Sequence, residues 1–379
     1  MTQILFGILI KRERIRRNWS QSGLCKGICA VSYLSKIEQG KAGASPEVLA
    51  LLMERLSIPW RDDPADAARI ERGYEAVFSG EQMDGLLPEL DACAAVPGPY
   101  LPDALLLRAW FRDQQDPAAS EYESCFDLRR RTLYLLLEER HEDALLLNPI
   151  PLCYLAAGNA EYQAGRCTAA VEYLRQCYDL SAQSGLLPMM LHSRILLGNC
   201  YSNLLDYPHM AEHYRVASRI AAALGNEELA RAIVYNTAAT QLELGRTEDA
   251  YQGLSSLRDP SAMALHKLAI CCEKLGRTEE ALNALDQAEA KTDDYPDQAI
   301  TREFCALVRF RLKKPNYLHD PAYGEALLCC FQNIRKTMPI GYASFHLPWV
   351  LEWYKANRQY KQACELLETF PIKLPVTSV

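Results

Sequence analysis

The sequence predicts an all-α chain in two parts, a small head of four or five helices followed by a long array of paired helices. Three observations lead there. Apolar residues in the first sixty positions recur at helical spacing among basic ones. From Ala67 onward, helix-sized segments rich in Ala, Leu, Glu and Arg are broken by Gly, Pro or Asn, with no strand-like alternation. One turn recurs almost unchanged, as Leu244-Gly245-Arg246-Thr247-Glu248-Asp249-Ala250 and Leu275-Gly276-Arg277-Thr278-Glu279-Glu280-Ala281. With 379 residues, 49% of them hydrophobic, the chain has material for several stacked cores, and disorder is excluded.

The head is expected over residues 1–62. Ile4, Ile8, Leu9, Ile15 and then Trp19 make an apolar stripe through a first helix that also carries Lys11, Arg12, Arg14, Arg16 and Arg17. Ser20 suits the N-cap of a short second helix, from Gln21 to about Gly27, and Gly27-Ile28-Cys29 breaks it. A third helix follows from Val31 to Gln39, with Gly40 at C′, and its Leu34 and Ile37 can pack on Leu24 where the small Cys25 allows close approach. Ser45-Pro46-Glu47 opens a fourth helix as N-cap and N1 proline, with Val48, Leu49, Leu52 and Leu56 turned inward.

Ser20-Gln21, Cys25, Gly27-Ile28-Cys29 and Leu34-Ser35-Lys36-Ile37-Glu38-Gln39-Gly40 resemble the Cro/repressor (XRE-type) helix-turn-helix family over residues 5–58. The resemblance implies a third helix lying in the DNA major groove. Position by position it places Val31, Ser32 and Lys36 at bases, Tyr33 at a base or phosphate, and Gln21 on a phosphate at the start of helix two. Arg14 and Glu38 match a family pair that forms a shielded salt bridge, a structural role. The sequence departs from many relatives at Cys29, where glycine is usual, so a left-handed backbone there would carry strain.

Charge fits a duplex reader on a separate body. Residues 1–60 hold nine Lys or Arg against four Asp or Glu, a net of +5, which leaves −12 for the remainder of a chain whose total is −7. Phosphate neutralisation needs local positive charge only. The fourteen cysteines are scattered through helical patterns without a C-x-x-C pair, which favours buried reduced thiols over disulfides or a metal. The apolar run Ile4 to Ile10 precedes its basic residues, the reverse of a signal peptide, and is too short to span a bilayer, so a cytoplasmic protein with no membrane partner is expected.

Pro59-Trp60 ends the fourth helix, and a linker is expected over 63–72, with residues 73–379 as the array. A weaker copy of the repeated turn runs from Ala164-Gly165-Arg166 to Ala170, and Arg358-Gln359-Tyr360 to Ala363 resembles one more. Ala157-Gly158-Asn159 and Leu197-Gly198-Asn199 form another pair, forty residues apart, while Gly245 and Gly276 are thirty-one apart. These units resemble degenerate tetratricopeptide repeats, strongest over 150–290, with a small residue at the helix contact and an alanine early in the second helix. Each pair leaves an apolar face that only its neighbour covers, so stacking into a right-handed superhelix with a concave surface is expected.

A head of this kind on such an array is similar to the peptide-sensing regulators of Gram-positive bacteria, the Rgg, PlcR and PrgX group. That resemblance implies a homodimer that binds a short signalling peptide and reads a palindromic operator in double-stranded DNA. It also implies asparagines that hold the peptide backbone, because an amide donates to C=O and accepts from N–H at once. In the frame set by the glycines, Asn159 and Asn199 share one inward position, with Tyr162, His192, Asn203, Asn236 and Lys267 near the same surface. These seven are the candidate ligand contacts; each also reads as an ordinary polar packing residue.

No catalytic residue, cofactor or metal is expected. The chain has no G-x-x-x-x-G-K-[ST], no G-x-S-x-G and no G-x-G-x-x-G after a strand. His209-Met210-Ala211-Glu212-His213 fits a metallopeptidase pattern, but five residues arise easily by chance on a repeat helix. The alternative function is an interaction scaffold, in which the repeats bind a protein partner and the head serves localisation.

Overall fold

The computed structural model describes residues 2–81, 83, 85–291 and 298–370, and every regular element among them is helical. The chain divides into two compact units, Met1–Cys153 and Tyr154–Val379. Among the described residues no helix is long and apolar enough to cross a membrane.

The first unit holds α1 (Thr2–Arg16), α2 (Gln21–Cys25), α3 (Val31–Glu38), α4 (Pro46–Arg55), α5 (Pro64–Ser79), α6 (Leu86–Ala95), α7 (Leu101–Arg112), a 3₁₀ turn (Ala119–Cys125), α8 (Leu128–Leu137) and α9 (His141–Leu147). Ser20 Oγ accepts from Gly23 N and Ser45 Oγ from Val48 N, so the second and fourth helices start at their capping residues. Ile10, Leu24, Cys25, Leu34, Ile37 and Leu52 form the core of the head. The stripe on α1 is rotated from the one expected: Leu5, Leu9 and Ile10 are buried, whereas Ile15 is 54% exposed. The left-handed residue of the α2–α3 turn is Gly27, at φ 75°, so Cys29 carries none of the strain expected there.

Residues 63–72 are not a linker. Asp63 caps α5, accepting from Ala65 N at 2.9 Å, and Pro64 takes the first helical turn. Arg61 and Arg69 both pair with Asp63 and with the buried Asp66, at 2.6–3.2 Å. A charged, proline-bearing stretch reads as solvated loop, but here the charges neutralise one another and the segment is ordered helix. The boundary of the compact unit accordingly falls at Cys153.

α10 (Pro151–Gln163) runs across that boundary. The second unit continues with α11 (Cys167–Ser184), α12 (Leu187–Asn203), α13 (Tyr207–Ala223), α14 (Glu227–Glu243), α15 (Thr247–Ser255), α16 (Ala262–Lys274), α17 (Thr278–Ala290), α18 (Gln298–Lys313), a 3₁₀ turn (Tyr317–His319), α19 (Pro321–Thr337), α20 (Ile340–Ala356) and α21 (Tyr360–Thr369). The repeated turns close these pairs: Gly245 and Gly276 both take φ 73°. The alanine that follows each turn, Ala170, Ala250 or Ala281, is fully buried. A larger side chain at those three positions would hold the helices of a pair apart.

Candidate functional site

In the head, α3 has two faces. Leu34, Ile37 and Glu38 are buried; Val31, Ser32 and Lys36 are exposed together on the other side, with Tyr33 and Ser35 half-buried between. Gly7 lets α1 approach closely, since a Cβ there would fall 2.1 Å from the Ile37 carbonyl oxygen. The only acid on α3 is turned inward. Arg14 donates from Nε to Glu38 Oε1 (2.6 Å) and from Nη2 to Oε2 (2.9 Å), and Gln21 Nε2 donates to Oε2 (2.7 Å). Three donors thus neutralise a carboxylate whose side chain is 3% exposed. The outward face is left with Lys36, which makes no side-chain ion pair among the described residues.

Two of the DNA candidates are committed within the head. Gln21 spends its Nε2 on Glu38, and the Tyr33 hydroxyl donates to the Gly43 carbonyl at 2.8 Å, fixing the loop after α3. Arg55, which sequence reasoning missed, donates from Nη1 to the Leu24 and Lys26 carbonyls at 2.8 and 2.6 Å and so caps the C-terminal end of α2.

The second unit holds a cavity of about 210 Å³. Five of the seven ligand candidates line it: Tyr162 from α10, Asn199 and Asn203 from α12, Asn236 from α14 and Lys267 from α16. Asn199 Oδ1 accepts from the Tyr214 hydroxyl at 2.6 Å and from Asn236 Nδ2 at 3.0 Å. This pins two asparagines side by side, leaving Asn199 Nδ2 and Asn236 Oδ1 without a partner among the described residues. Such an arrangement offers one donor and one acceptor, the complement of a peptide group. One turn further along, the hydroxyls of Ser202 and Thr240 are in contact. Asn203 Nδ2 is buried and has no hydrogen-bond partner among the described residues.

Asn159 and His192 do not join the cavity. Gly158 and Gly198 do occupy equivalent helix contacts, against Leu174 and Tyr214. What differs is the neighbour: the Tyr214 hydroxyl holds Asn199, and leucine at 174 has no hydroxyl with which to hold Asn159, which stays exposed. His192 is half-buried on α12, and burial lowers its pKa below the usual histidine value.

Sequence reasoning missed the groups that complete the walls. Tyr214 follows Gly198 by sixteen residues, as Leu174 follows Gly158, a spacing that could have revealed it. Glu243 comes from the end of α14, and Gly341, Tyr342 and Phe345 come from α20. Gly341 approaches so closely that a Cβ there would lie 3.1 Å from the Tyr162 hydroxyl. His209 and His213 of the metallopeptidase-like pattern are engaged elsewhere. Both stack on Tyr201, His209 Nδ1 lies 2.7 Å from Asp206, and His213 Nδ1 lies 2.8 Å from Arg194 Nη1, a guanidinium where a metal would need room.

Residues 10–62 match the family described as Helix-turn-helix. The head is a helix-turn-helix domain. No curated protein matches the chain in sequence. Among solved structures, the chain is similar to a Rap protein complexed with competence and sporulation factor, at 13% identity and a TM-score of 0.59, over 81% of this chain and 97% of that one. It is also similar to aspartyl phosphate phosphatase F from Bacillus subtilis, at 16% identity and a TM-score of 0.51, over 99% and 97% of the two chains. PlcR from Bacillus thuringiensis, in complex with the peptide PapR7 and DNA, matches at 17% identity and a TM-score of 0.35, over 77% and 95%. The likenesses to the Rap protein and to the phosphatase place the helical array in a known fold.

Proposed function

We propose that the chain is a transcription regulator whose helix-turn-helix domain binds a specific DNA duplex through α3 and whose repeat unit binds a short peptide. The observation that carries the reading is the sorting of charge on α3. Its acid is buried under Arg14 and Gln21, and Val31, Ser32 and Lys36 stand clear on one face. A helix presented in this way can meet the major groove without repelling phosphates. The paired asparagines support a peptide as ligand, and the Rap fold supports it too, since one such protein was solved with competence and sporulation factor. Two copies of the chain would read the two halves of a palindromic operator. Nothing in this reading calls for chemistry, and we propose no enzymatic activity.

The test begins by selecting duplexes from a random-sequence library on the full chain, followed by titration of the selected duplex by fluorescence anisotropy. Shortening Ser32 or Lys36 to alanine should cost about 1–3 kcal/mol each where the side chain meets a base edge. Lys361→Ala, on exposed α21, should leave affinity unchanged. A Ser32→Ala/Lys36→Ala variant that keeps the parent's affinity and selectivity would refute the assignment of α3.

A further inference from the structure

Among the described residues, the side chains of Arg130 and Arg311 are each 6% exposed and both are paired with a carboxylate. Arg130 meets Asp103 at 2.7 and 2.9 Å, and Arg311 meets Glu273 at 2.7 and 2.6 Å. Lys267 breaks the pattern. It is 1% exposed, as deeply buried as those arginines, yet no carboxylate lies within ion-pair distance among the described residues. Its Nζ lies over the face of Phe345 and on the wall of the cavity. Glu243 lines the same cavity but stays at the solvent-exposed rim. The two feel one another without joining: burial pushes Lys267 well below the usual lysine range against the pull of Glu243. A lysine buried without a counter-ion gives up its proton, and an anion placed beside the amine restores the charge and pairs with it.

We propose that the ligand of this cavity carries a carboxylate and places it on Lys267. The proposal rests on the peptide reading above and deepens it. The amide pair Asn199 and Asn236 takes a peptide group, Asn203 Nδ2 offers a donor toward the α10 and α12 end, and Lys267 fixes the anionic end at α16. The anchored carboxylate belongs to the segment of the peptide that enters the cavity. That carboxylate is either the chain terminus or an acidic side chain.

Three pools of random hexapeptides decide between these sources: free acids without Asp or Glu, their C-terminal amides, and amides that include Asp and Glu. Each is incubated with the full chain, and retained peptides are identified by mass spectrometry after gel filtration. Retention of the first pool over the second by about tenfold or more, the worth of one charge-assisted hydrogen bond, assigns the terminus. Retention of the third over the second assigns a side chain. Lys267→Met should abolish either preference, and Lys267→Arg should keep it. Lys267→Met is expected to melt no lower than the parent, because methionine fills the space without a charge to desolvate. Equal retention of all three pools by the parent overturns the carboxylate anchor alone, and so does an unchanged preference in Lys267→Met. Retention of none overturns the peptide reading and the anchor with it.

Discussion

Gly198 is the residue through which packing and site are joined, and replacing it with alanine tests that joint. A Cβ at 198 would lie 2.1, 2.4 and 2.9 Å from Cε1, Cδ1 and Cζ of Tyr214. Ordinary contact begins near 3.5 Å, so the ring must retreat by roughly 1–1.5 Å. Tyr214 is 3% exposed and its hydroxyl sits 2.6 Å from Asn199 Oδ1, so a shift of that size breaks the bond that orients the amide pair. Overpacking costs about 1–3 kcal/mol and the lost hydrogen bond about 1 more. The helix propensity of alanine over glycine returns about 1. Gly198→Ala should therefore lose about 1–3 kcal/mol from the unfolding transition of the second unit, read by urea titration with far-UV circular dichroism. In a Tyr214→Ala background the clash is gone, and the same substitution should be neutral or stabilise by up to about 1 kcal/mol. Equal cost in both backgrounds would show that Tyr214 is not what the glycine accommodates, and the argument for its role would fail.

Other consequences can be measured the same way. Removing Arg14 leaves Glu38 charged in the interior, so Arg14→Met should destabilise the helix-turn-helix domain by about 3–5 kcal/mol and Glu38→Gln should recover part of that; an Arg14→Met protein as stable as its parent sinks this account. Lys36→Ala should reduce the salt dependence of duplex binding, by about one unit of slope if Lys36 meets a phosphate, whereas a base contact would show as relaxed selectivity at one position; no change in either excludes Lys36 from the interface. His266 and His346 are buried neutral imidazoles, with pKa values pushed far below the histidine range by burial first and then by Lys267. Above about pH 6.5 neither state of the chain binds a proton there. Below it only the unfolded chain does, so stability falls with pH by up to about 1.4 kcal/mol per unit for each histidine. Neither ring nitrogen of His266 has a hydrogen-bond partner among the described residues, so His266→Phe should keep the fold and remove one such slope between pH 6.5 and 5.5; identical slopes in variant and parent would refute the assignment.

Much of this was legible in the sequence because helices advertise themselves locally. The period of Leu34 and Ile37 fixed which way α3 faces, and the glycine frame brought Asn199, Asn203, Asn236, Tyr162 and Lys267 to one wall before any coordinates. The failures have physical causes. Asn159 matches Asn199 in the frame, but an amide points where its hydrogen-bond partner holds it, and that partner sits on another helix. The 63–72 stretch has a composition equally suited to solvated loop and to an ion-paired helix start, and only the ion pairs that Arg61 and Arg69 make with Asp63 and Asp66 decide between them. Gly341, Tyr342 and Phe345 meet residues as far back as Tyr162 and have no spacing that ties them to the repeats.

The two sites treat buried polarity in opposite ways, and the difference follows from what each must do. Glu38 receives three donors and Asp103 meets both arms of Arg130, so these networks are complete within the fold. A complete network holds one geometry, as the proposed reading of a rigid duplex would require. In the cavity, Asn203 Nδ2 and Lys267 are left short of partners, which costs stability in the empty protein. That cost is recovered only by a molecule that brings the missing acceptor and charge. The proposed ligand would therefore stabilise the state that binds it in proportion to how well it satisfies those groups, and any control of the second unit by it would draw on this same difference in free energy.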